Sequence, residues 1–196
     1  SVLVDSLTHK GDDALSLTIK IEGWKRIDGL EQKLSLQLLK EGKKLLEQNN
    51  ERVPPSLLWK ISRALFEEKN YSESILLIED LPLNKSNEVV FAIELISNVY
   101  SKKLENAIIQ AIKSSDEETV VFAMRCEKAP ISIQLESSKI LSQLDSIRYT
   151  DEILSVLTRT ADVKSLAENM AADDSLALAY PFRALMIWHL MPAENG

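Results

Sequence analysis

Two pairs of adjacent aspartates, Asp12-Asp13 and Asp173-Asp174, are the side chains best suited to hold a hard cation. Some all-α enzymes bind Mg²⁺ through aspartate-rich helices, but that chemistry needs several carboxylates converging on one ion. Here no third acid follows either pair at helical spacing: the segments read Asp12-Asp-Ala-Leu-Ser and Asp173-Asp-Ser-Leu-Ala. Each pair stands just before a helical run, where a carboxylate accepts hydrogen bonds from free N–H groups and suits the positive end of the helix dipole. Both pairs are read as helix caps. His9 and His189 are the only histidines and Cys126 the only cysteine. Zinc takes three or four ligands, and neither a His-Glu-x-x-His motif nor paired cysteines occur. His189 lies in the apolar stretch Met186-Ile-Trp-His-Leu190, and Cys126 ends Phe122-Ala-Met-Arg-Cys126. Nothing local pairs this thiol with a base, so it reads as a small apolar packing residue rather than a nucleophile. The 5 glycines, all but Gly196 before residue 43, form no nucleophile elbow, phosphate loop or dinucleotide fingerprint. No catalytic, metal-binding or cofactor-binding residue is assigned, and the chain is expected not to be an enzyme.

The aromatic residues point elsewhere. Trp24, Trp59 and Trp188 are either packing residues or interface anchors, a role in which tryptophan is enriched. Trp59 is read as packing. Tyr180, Phe182 and Trp188 crowd onto the last helical segment, which has no later helix to cover it. They are the candidate protein interface, a cap on the fold or a docking face.

The elements that would position these residues are helices. A first runs from Asp12 or Asp13 through Leu15, Leu17 and Ile19 to about Glu22. The longest pattern, about Gly29 to Gln48, carries Leu30, Leu34, Leu38 and Leu45 at helical steps. From Pro54 to about Leu144, turn or helix-start signals recur roughly every 14 to 16 residues: Pro54-Pro55, Asn70, Asn84 to Asn87, Ser101-Lys102, Asp116 and Pro130. Ser114-Ser-Asp-Glu-Glu118 joins cap formers to first-turn acids. Two pieces make a unit of roughly 30 to 34 residues, the size of two-helix repeats that stack into solenoids. Later helices are expected at about 150–160, 162–171 and 174–191, the last kinked by Pro181. No strand run with period-2 alternation between turn pairs is recognised. The expected fold is all-α, about 10–11 helices in a right-handed stack of antiparallel pairs. One helical-repeat domain spans 11–191, most regular over about 54–145, between a loose arm (1–10) and a disordered tail (192–196).

Leu58, Ile61, Ser62, Leu65, Tyr71, Ser74, Ile78 and Leu81 resemble, in their spacing, one tetratricopeptide repeat. The resemblance implies small residues at the closest helix contact, with Ser62 and Ser74 filling those positions, and an aromatic, Tyr71, after the turn. Lys69 stands where that family places its turn glycine, and Pro82 comes early. The units at about 86–114 and 116–145 resemble HEAT-type hairpins. Both are likenesses of architecture and transfer no binding residues.

Composition limits the rest. The chain of 196 residues is 45% hydrophobic and 27% charged, as expected of a globular protein, and its formal net charge is −7. That balance disfavours nucleic acid as the main ligand, although Lys40, Lys43 and Lys44 cluster, as do Lys102-Lys103. Both clusters read as solvated helix faces or ends. No apolar run is long enough for a membrane helix, and one cysteine suits a reducing compartment, cytoplasm or nucleus. The start, Ser-Val-Leu-Val-Asp, lacks a Met and fits a piece of a longer protein. The expected function is protein–protein interaction: an adaptor or scaffold holding a peptide or helix, its partner slightly favoured to be basic through steering. The other reading is a structural solenoid piece of a larger complex subunit, docking or homodimerising through Tyr180, Phe182 and Trp188.

Overall fold

The computed structural model describes residues 14–29, 33–144, 148–149, 152–153 and 155–156. Their regular structure is all helical: eight α-helices and one 3-10 turn, with no strand among the described residues. The helices are α1 (Ala14–Lys25), α2 (Leu36–Gln48), α3 (Pro55–Glu67), α4 (Tyr71–Ile78), α5 (Ser86–Ile96), α6 (Lys102–Ile112), α7 (Glu117–Arg125) and α8 (Ile131–Leu144). Glu152, Ile153, Ser155 and Val156 are also helical. The arm at 1–10, the caps Asp12-Asp13 and Asp173-Asp174, the helices at 162–171 and 174–191 and the tail at 192–196 lie outside the described residues.

Local chemistry sets the boundaries. Ser35 is extended, and its hydroxyl accepts from Leu38 N, so α2 begins at Leu36 and not near Gly29. Pro55 opens α3, where a missing N–H costs nothing. Glu88 reaches back from α5 to accept from the backbone N–H groups of Asn84 and Lys85. Ser101 caps α6 through Leu104 N. Of the serines and acids before α7, Asp116 is the cap, accepting from Thr119 N at 2.8 Å, while Ser114 and Ser115 donate to the Ala111 carbonyl.

Two helices stop in the same way. Past α2, Asn50 N bonds to Glu47 O and Glu51 N to Leu46 O; past α3, Lys69 N bonds to Phe66 O and Asn70 N to Leu65 O. This paired arrangement satisfies the last carbonyls and needs a left-handed residue at the turn. Asn50 (φ 56°) and Lys69 (φ 61°) supply it. Asparagine tolerates that region; lysine enters it under strain.

The chain divides into two compact units, Ser1–Leu81 and Pro82–Gly196. In the first, α1 packs on α2, α2 on α3 and α3 on α4. Trp24, Ile27, Leu39, Leu46, Leu57, Ile61 and Leu65 form its core. Leu57, Ile61 and Leu65 recur every four residues along one face of α3, and burial of each contributes about 1.5–3 kcal/mol. Ser62 and Ser74, both fully buried, meet where α3 and α4 come closest. Their hydroxyls lie 2.8 Å apart, and each donates to the other residue's carbonyl, at 3.0 and 2.8 Å. Phe66 and Tyr71 pack across the same turn with ring centroids 5.2 Å apart. Trp24 lies on Gly42, where any Cβ would overlap its ring. Helix α1 is the exception: Leu15, Leu17, Ile19 and Ile21 alternate, a helix cannot put them on one side, and Leu15 stays 70% exposed.

In the second unit α5 packs on α6 and α7 on α8, while α5 also packs on α7 and α6 on α8. Its core holds Phe91, Ile93, Leu95, Leu104, Ile108, Ile112, Val120, Met124, Ile133 and Leu141. Carboxylates tie its helices together. Asp116, at the start of α7, accepts from Ser86 Oγ at the start of α5. Glu105 on α6 is 4% exposed and accepts from Ser132 Oγ on α8, Tyr100 Oη and Lys102 Nζ.

Candidate interaction surface

Lys60, Arg63 and Glu67 stand three and four residues apart on α3, Lys60 half-buried at the flank of the Leu57-Ile61-Leu65 stripe and Arg63 and Glu67 exposed. Against them lie Leu39 of α2 and, just before that helix, Lys33 and Leu34. Together with Ala64 they line a groove of about 210 Å³. Leu34, Leu39 and Ala64 give it an apolar floor; three cations and one carboxylate form its rim. Lys33 Nζ lies 2.5 Å from Glu67, with both side chains more than half exposed. Such a pair is worth at most about 1 kcal/mol and exchanges readily with a competing charge. A second, shallower hollow of about 440 Å³ runs along α2 between Leu36, Gln37, Lys40, Glu41, Lys44 and Glu68. Its charges balance, and Lys40 is engaged with Glu73 at 2.9 Å.

The second unit carries a cleft of about 280 Å³ lined by Glu117, Glu118, Val121, Arg125, Arg148, Tyr149 and Glu152. Four of its five charges are paired with one another or with Tyr149: Arg125 donates to Glu152 at 2.6 Å, and Arg148 and Tyr149 Oη both donate to Glu117. The Arg148 guanidinium also lies 5.1 Å from the Tyr149 ring centroid. The hydrogen bond to Glu117 pushes the Tyr149 hydroxyl pKa up, so it stays protonated and is a poor nucleophile. Arg148, Tyr149 and Glu152 are thereby clasped to α7. Burial pushes the Glu105 carboxyl up, but the hydrogen bonds from Ser132, Tyr100 and Lys102 outweigh it and hold the pKa below the usual range. A carboxylate held ionised in this way cannot act as a general acid near neutral pH.

The residues singled out in the sequence fare differently. Trp24 and Trp59 are buried at 2% and 7% exposure and pack inside their unit. Cys126 ends α7 half-buried, its sulfur 3.4 Å from Ser97 Oγ. Lys43 pairs with Glu47 one turn on, and Lys102 with Glu105. Tyr180, Phe182, Trp188, His9 and His189 lie outside the described residues. Lys60 and Arg63 were not recognised, although Lys60-x-x-Arg63-x-x-x-Glu67 opposite a Leu/Ile stripe is a readable signal. Lys33 has no such signal, because only the α2–α3 packing brings it there. Among the described residues no group of three His, Cys, Asp or Glu side chains is placed to hold a metal, and no helix is long and apolar enough to cross a membrane. No family model matches the chain, and neither a curated protein nor a solved structure matches it.

Proposed function

We propose that this chain is a non-enzymatic protein–protein interaction adaptor. It holds a peptide or helix on the surface of a right-handed, tetratricopeptide/HEAT-like α-solenoid in the cytoplasm or nucleus. The observation that carries the reading is the α2–α3 groove, with its apolar floor of Leu34, Leu39 and Ala64 inside a charged rim. Apolar anchors with charged flanks are what an amphipathic segment offers to a helical surface. Two features support the repeat architecture: the Ser62–Ser74 contact at the α3–α4 crossing, and the packing of α5 on α7 and α6 on α8, first helix on first and second on second.

A second reading is a structural piece of a larger complex subunit. It is favoured by the apolar surface of α1, with Leu15 70% and Ile19 39% exposed, and would dock or homodimerise through Tyr180, Phe182 and Trp188. Light scattering after size exclusion, across protein concentration, separates the two. A monomer at every concentration, unchanged by Trp188→Ala, is the adaptor's result. A dimer that Trp188→Ala dissolves is the assembly component's result and sinks the adaptor.

A further inference from the structure

We draw no further inference here: the strongest candidate, the apolar surface patch that Leu15, Leu17 and Ile19 leave exposed on α1, carries nothing, because nothing in the structure shows what covers it.

Discussion

The two units solve the same problem, holding short helices side by side, with different materials. In the first, the buried close contacts are between uncharged groups of matched size, and its carboxylates form partly or largely exposed pairs such as Lys40–Glu73 and Lys33–Glu67. Ser62 and Ser74 interlock at the α3–α4 crossing, and Gly42 leaves room for Trp24. In the second, the links between non-consecutive helices are carboxylates: Asp116 to Ser86 from α7 to α5, and Glu105 to Ser132 from α6 to α8. Shape complementarity responds to added volume and is indifferent to protons. Carboxylate ties respond to acid and to loss of charge. The first unit should therefore fail when side chains grow, and the second when pH falls.

The largest effect is expected at Gly42. On an open helix surface Gly→Ala would gain about 1 kcal/mol, but here the new carbon meets Trp24. Gly42→Val should cost about 3 kcal/mol in urea unfolding, and Trp24→Ala should erase most of that cost in a double-mutant cycle. An additive cycle would mean that Trp24 is not what limits the site. Next comes Ser62→Val, which removes both of that hydroxyl's bonds and adds volume at the crossing. About 2 kcal/mol of destabilisation is expected, against about 1 for Ser62→Ala. Equal costs would show that the hydroxyls matter and the close approach does not.

The second unit should separate from the first by pH. The Ser86 hydroxyl foremost, then the Thr119 N–H, hold the Asp116 carboxyl down at about 2 from its ordinary 3.8. Glu105 is also lowered. A pKa depressed by folding gives stability that is fully present above the unfolded value. That stability is lost as pH falls through the folded value. Protection factors for amide exchange in α5 to α8, taken against the intrinsic rate at each pH, should therefore fall below about pH 4 and go on falling towards pH 2, while those of the Ser62 and Ser74 amides hold. Asp116→Asn should blunt that fall; an unaltered pH profile would show that the Ser86–Asp116 tie contributes nothing. The smallest effect runs the other way. Lys69→Gly frees the left-handed turn from its side-chain strain and should stabilise by about 0.5–1 kcal/mol, read as a raised urea midpoint.

The all-α fold was legible because hydrophobic spacing and cap residues are local signals. Asn70, Ser101 and Asp116 each start a helix beside the apolar run they precede. The start of α2 was misplaced because Leu30 and Leu34 continue the apolar pattern, whereas the Ser35 cap ends it. Much less of the candidate surface was legible. Sequence attention went to Tyr180, Phe182 and Trp188, while the groove depends on Lys33 and Arg63, thirty positions apart along the chain. By itself the sequence determined where most of the described helices begin and stop, α2's start excepted, because propensity, capping and a left-handed turn act over a few residues. Only the tertiary structure decided which charges face one another, and that Ser62 and Ser74, already marked by their spacing as the small residues of the crossing, bond to each other there. Such encounters are set by packing between helices, and no local rule encodes them.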